Sequence, residues 1–476
     1  MEYNKKFMKL CLYLCILTLF FACVSTPPIQ KNSVEEKKDV TIQKSKKMDK
    51  REFGLLLQSF LLKGDYERAL SYFENEEEVE SSVLEDQATK ILKLSILISA
   101  NKTKEALLYF ENLEKQYENN AELLYCRVML AQNTNDDKTK SLYLKKILSK
   151  FPNDSWALTE QGLDLYSKKN YNGAKKKFLA ALTHSPKSVE ALLGLARVHY
   201  MQNKLKDAEA NLNLALEVQN DNSLLWAEMA RVKSETNRML MAIEDIKKAI
   251  KLDDSIPSHW MDFALYSMQL GRKEEAKEAF TQVIKLDPSS YMAYIYRAGI
   301  NDEMGATKEA LEDYYKIISL YPLYYFAYEG AGVIHMQKKE WENAAYCFNN
   351  ALQKAPQQYH YAILVSFCLY KAGKIKEGKD FCRDYIKTMN RVEKENEYFL
   401  TRLFFENSGD SDVNNRIMKI KDKTTYYRMM YYLGAFYEAI NKNVVAEKYY
   451  LDVLSAKVPS FMEYRLARIA LDRIKG

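Results

Sequence analysis

The chain has 476 residues, 47% of them hydrophobic and 28% charged, and its 70 Lys and Arg against 64 Asp and Glu leave a net charge of +6. With only 15 Gly and 9 Pro, helix breakers are too few for a loop-rich or collagen-like chain, and a mostly helical protein with short connections is expected. The positive charge is dispersed, without the basic block that tracks a phosphate backbone, which argues against nucleic acid as a partner.

In chain order the first feature is a leader. Lys5, Lys6 and Lys9 precede an uncharged apolar run from Leu10 to Ala22, a length suited to a signal-peptide core and short for a spanning helix. The run closes on Phe20-Phe21-Ala22-Cys23, which resembles the lipobox of bacterial lipoproteins, although Phe20 stands where that family usually has Leu. The resemblance implies a lipoprotein signal peptide over 1–22, with the new N-terminus lipidated at Cys23. An ordinary signal peptide and an uncleaved anchor remain open. Residues 23–50 then form a lipidated N-terminus and a disordered tether, since Ser25 to Lys50 is polar, Lys-rich and nearly free of large apolar side chains.

The body of the chain repeats itself every 34 residues. Ala174, Ala208, Ala242, Ala276, Ala310 and Ala344 keep that spacing without a slip. Twelve residues before each stands a small residue, from Gly162 and Ala196 to Gly332; four after each comes a large apolar or aromatic one, from Phe178 to Phe348. Asn203, Asn237, Gly271, Gly305 and Gly373 lie where a left-handed residue has to close a helix. Pro186, Pro288, Pro322 and Pro356 stop the second helix. Each unit is therefore a pair of antiparallel helices, the small column admitting close approach and the large column filling the gap.

These columns, with Trp226 and Trp260 in one and Tyr294 and Tyr328 in register, resemble the tetratricopeptide-repeat family. The resemblance implies an all-α, right-handed superhelical solenoid of about twelve helical hairpins. The expected organisation is degenerate repeats over 51–153, a regular array over 154–390, and degenerate repeats with a C-terminal helix over 391–476. Phe461 to Lys475 reads as a solvating cap on the last repeat.

In that family the first helix of each repeat lines the ligand-binding face. Carried over residue by residue, the groove includes Trp156 and Tyr166, then Arg197 and Tyr200, then Arg231, with Thr159, Leu193 and Ala227 beside them. Further on it includes Met261 and Met268, Met292 with Ile295 and Asp302, and Phe326 with Glu329, Val333 and Met336. Arg197 and Arg231 are candidates to pair with acidic groups on a ligand, and the methionines suit apolar partners of varied shape. The other reading is that these side chains pack between neighbouring first helices.

Nothing in the chain spells a catalytic or metal motif. There is no HExxH, GxSxG, Walker-type loop or paired CxxC, and no cofactor is expected. His199 and His335 fall in a column that packs inside the hairpin. Cys126, Cys347, Cys368 and Cys382 fall on apolar faces as buried thiols, a disulfide among the last three being the alternative. The expected function is a non-enzymatic scaffold of the bacterial cell envelope that binds an envelope protein or peptide, membrane-attached through its N-terminal lipid. The alternative is a transporter-associated periplasmic lipoprotein holding a small apolar ligand.

Overall fold

The computed structural model describes residues 47–118, 120–457 and 461–475, so the leader, Cys23 and most of the tether lie outside the described residues. Tertiary contacts divide the chain into two compact units, 1–220 and 221–476. Among the described residues helix dominates, and the sole β pairing is an isolated bridge between Met48 and Val79.

Among the described residues twelve helical hairpins follow one another, with a short helix Ser81–Leu84 after the first, and end in a single helix, Met462–Lys475. The first helix begins at Lys50, earlier than a tether reaching that residue implies, because Asp49 and Glu52 form a reciprocal capping box. From the second hairpin onward, first helices start at Gln87, Ala121, Ser155, Val189, Ser223, Pro257, Tyr291, Tyr325 and Tyr359, each 34 residues after the last. The regular pitch thus reaches back into the stretch whose interior columns look degenerate. Helix ends keep it there: Asp86, Asn120, Asp154, Ser188 and Asn222 all cap their helices by side-chain hydrogen bonds.

The turn column holds with the same strictness. Asn101, Asn135, Lys169, Asn203, Asn237, Gly271, Gly305, Lys339, Gly373, Asn407 and Asn441 all have positive φ, so every hairpin from 87 onward turns on a left-handed residue 34 positions from its neighbour. The first hairpin turns at Gly64, three residues ahead of the lattice, and Ala69 is displaced by the same amount.

The lattice alanines 174, 208, 242, 276, 310 and 344 are all fully buried. The reason for the small column opposite them is visible at Phe178, whose ring lies between two first helices. A Cβ on Gly162 would come within 2.6 Å of it, and one on Gly194 within 2.4 Å. Cys126, Cys347, Cys368 and Cys382 are buried thiols, none of them in a disulfide; burial raises the Cys347 thiol to about 11 and that of Cys382 to about 12.

The end of the second unit departs from the lattice. The hairpin of Glu395–Glu406 and Asp410–Ile417 is short, and the core around it is aromatic, with Tyr361, Tyr431, Tyr432, Tyr450, Phe367, Phe404 and Phe436 almost wholly enclosed. Part of the chain's complement of 35 tyrosines is therefore core, with hydroxyls directed at buried acceptors: Tyr432 donates to Glu463 at 3.0 Å and Tyr450 to Glu438 at 2.8 Å.

Helix Met462–Lys475 covers the last hairpin with Arg468, Asp472 and Lys475 exposed, and its other side is more deeply held than a solvating cap requires. Glu463, Leu466, Ala467, Ala470 and Leu471 are buried. Arg473, itself 7% exposed, makes a two-pronged contact with the Glu438 carboxylate at 2.8 and 2.7 Å and lies over the rings of Trp341 and Phe367. Lys371 approaches Glu438 at 3.3 Å. An amphipathic helix rich in arginine reads as a solvated end because its partners, on helices far earlier in the chain, leave no mark in its own periodicity.

Candidate functional site

The first helices carry the expected groove residues, although they are more buried than their partners: Val189–Met201 has nine buried residues and Leu205–Val218 three. In the first unit, Trp156 is half-buried with its ring 4.8 Å from that of Tyr125, and Tyr166 packs beside Tyr171 at 5.6 Å. Arg197 and Tyr200 are half-buried on the helix Val189–Met201, whereas Leu193 and Thr159 belong to the interior.

In the second unit Arg231 already has acidic partners, Glu228 at 3.0 Å and Asp262 at 3.3 Å. Those carboxylates keep its guanidinium charged against the opposing effect of burial, and they occupy the role expected of a ligand. Met261 and Met268 are half-buried and pack against the core around Phe263 and Ala264. Met292 and Phe326 are open to solvent, at 40% and 47%.

Met336 is not a groove residue. It is 0% exposed, and Val333 and Ala227 are buried as well, because the first helix Tyr325–Gln337 is covered on more sides than an open array allows. Residues 331–336 are buried without a break.

What closes over this region is helix Met462–Lys475. Arg465 forms a bidentate ion pair with Asp302, 163 residues earlier, at 2.6 and 2.7 Å, and Tyr314 donates its hydroxyl to the same carboxylate at 3.1 Å. Between the helices Tyr291–Glu303 and Tyr325–Gln337 and the start of the C-terminal helix lies a cleft of about 400 Å³. Its walls are Ile295, Tyr314, Ile317, Tyr324, Phe326, Gly330, Val333, Phe461 and Met462, with Glu329 and Arg465 as its charged groups. Gly330 permits this arrangement: a Cβ there would meet the Tyr314 ring at 2.4 Å.

Glu329 accepts a hydrogen bond from the Tyr361 hydroxyl. Burial raises its pKa above the ordinary glutamate value, and the neighbouring Glu463 adds to this, while Tyr361, Arg428 and Arg465 partly oppose it. Ile295, Asp302, Phe326, Glu329 and Val333, all placed on one face by the repeat register, are thus brought together. The contribution of Phe461, Met462 and Arg465 was not foreseeable; the available hint was a pair of inward carboxylates, Asp302 and Glu329, without a cation in the repeat columns.

Outside the cleft an aromatic surface continues. Tyr291 and Tyr321 lie 5.2 Å apart, Tyr321 and Tyr324 6.3 Å, and Tyr324 and Phe326 5.6 Å. Among the described residues no group of three or more His, Cys, Asp or Glu is placed to hold a metal ion, and no helix is long and apolar enough to cross a membrane.

Helical hairpins stacked at a fixed pitch, with a side-chain surface on their first helices, define a helical repeat protein. Residues 165–232 and 261–325 each match a family described as Tetratricopeptide repeat, so the chain carries tetratricopeptide repeats over those segments. Over 111 residues it is 32% identical to the TPR repeat-containing protein PA4667 of Pseudomonas aeruginosa, a match covering 23% of this chain and 19% of that protein. The chain thus spans about a fifth of the length of this curated relative. Similar solved structures include Pseudomonas aeruginosa PilF (19% identity, TM-score 0.39, 44% of this chain and 95% of that one). PilW, described as a type IV pilus biogenesis factor, gives 19% identity, TM-score 0.39, and 42% and 94% coverage. YrrB, described as a TPR protein with an unusual peptide-binding site, gives 20%, 0.33, and 39% and 95%.

Proposed function

We propose that this chain is a non-enzymatic scaffold that binds a protein or peptide on its first-helix surface. The observation that carries the reading is the exposed apolar surface formed by Tyr291, Met292 and Phe326 on two first helices and by Tyr321 and Leu323 in the connection that precedes the second of them. The rings of Tyr291, Tyr321, Tyr324 and Phe326 follow one another at 5.2, 6.3 and 5.6 Å, and contiguous exposed apolar surface marks interaction sites. Attachment to the bacterial cell envelope through a lipid on Cys23 is part of the same proposal and rests on the leader sequence.

The alternative, a transporter-associated protein holding a small apolar ligand, draws support from the cleft of about 400 Å³. The Glu329 carboxylate inside it disfavours a wholly apolar occupant, which would leave that group desolvated and without a counter-charge.

The test is site-specific photocrosslinking in the native cell. A photoreactive phenylalanine analogue at position 326 is expected to capture one reproducible partner, whereas the same group at exposed position 142, on a second helix, is not. Capture is expected to require Cys23, being lost in Cys23→Ser. Equal labelling from positions 326 and 142 rules out the first-helix surface as the binding face; capture unaffected by Cys23→Ser removes the anchor from the proposal.

A further inference from the structure

The cleft beside the C-terminal helix has an electrostatic imbalance. Three carboxylates, Asp302, Glu329 and Glu463, are gathered with two guanidiniums, Arg428 and Arg465. Arg465 is held by Asp302 in the bidentate pair, and Arg428 lies 3.1 Å from Glu463, which also accepts from Tyr432. Among the described residues Glu329 is left with a neutral donor, the Tyr361 hydroxyl, and no Lys or Arg at ion-pairing distance. It is half-buried, on the wall of a cleft wide enough for a side chain.

A carboxylate removed from water without a positive partner is costly to keep ionised, and a cation delivered to it recovers that cost. The other walls match what surrounds such a cation in an amino-acid side chain. Ile295, Val333 and Met462 suit an aliphatic stem, and Tyr324 and Phe326 at the rim offer ring faces. Beyond the rim the rings of Tyr321 and Tyr291 continue the surface, which a free amine does not reach but the residues flanking a basic side chain do.

We propose that this cleft receives a lysine or arginine side chain from a peptide segment of the partner protein, with Glu329 as counter-ion and the Tyr324–Phe326 rim holding the flanking residues. This rests on the reading of the protein as a peptide-binding scaffold. The C-terminal helix is then part of the binding site, since Phe461, Met462 and Arg465 form one wall, and Arg465, neutralised by Asp302, leaves the site's net charge negative. Binding requires an ionised Glu329. Acidification protonates it at a pH above that of an ordinary glutamate, so affinity falls as pH is lowered through that range.

The test is selection from a random peptide display library on the full-length protein, followed by calorimetry with the best synthetic peptide. The peptide is compared with its neutral isostere, citrulline for arginine or norleucine for lysine, on wild-type protein and on Glu329→Gln, which retains an acceptor for Tyr361. Expected are enrichment of one basic position flanked by apolar residues, and a loss of about tenfold or more from either change alone. Little further loss is expected from both together. The isostere measurement on wild-type protein stands even if the variant folds poorly. Selected peptides without a basic position, or affinity indifferent to both changes, overturn the cleft assignment while leaving peptide binding intact. Failure to select any peptide overturns both.

Discussion

At the scale of single residues, the repeat is a set of steric allowances. Phe178 fits because residues 162 and 194 carry no Cβ, and Tyr314 reaches Asp302 because residue 330 carries none. The lattice alanine has the same meaning from the other side: Ala242 is fully buried where the two helices of its hairpin meet. Ala242→Leu is therefore expected to destabilise the second unit by about 1–3 kcal/mol through overpacking, measured by chemical denaturation. An unchanged midpoint contradicts the packing role of the column. These allowances were readable from the sequence because each recurs at fixed spacing. Arg231 was readable as a surface cation but not as a committed one, since Asp262 joins it from the next first helix.

At the scale of elements, the C-terminal helix is held by charge as much as by its apolar side. Glu438 is 1% exposed and surrounded by Arg473, Lys371 and the Tyr450 hydroxyl. Burial alone raises its pKa, but these partners outweigh it and hold the carboxyl below the usual glutamate value. The stabilisation is present above the unfolded glutamate pKa and is lost as pH falls through the lower, folded one. Arg473→Ala leaves the carboxylate buried without its main partner and is expected to cost about 3–5 kcal/mol at pH 7. The deficit should shrink as acid protonates Glu438. Thermal melts of both proteins between neutral and acidic pH check this; a deficit independent of pH assigns the loss to packing of the arginine stem over Trp341 and Phe367 instead.

At the scale of the whole molecule, stability in a repeat array is the sum of local units and nearest-neighbour interfaces. Removing residues 458–476 strips the last helix from Glu438, Trp341 and the cleft wall. Hydrogen exchange is expected to show lost protection in the hairpins spanning 291–455, with protection of those spanning 87–184 unchanged. Uniform loss along the chain contradicts this division.

The sequence by itself determined the hairpin, its pitch and the turn residues, because these depend on contacts within one repeat or the next and so recur every 34 residues. It also placed Asp302, Phe326 and Glu329 on a common face. Only the tertiary structure decided that Met336 is interior, that Arg465 answers Asp302 across 163 residues, and that the last helix makes a wall of the cleft. Those contacts occur once, between segments with no shared period, and a contact made once leaves no repetition for a sequence to display.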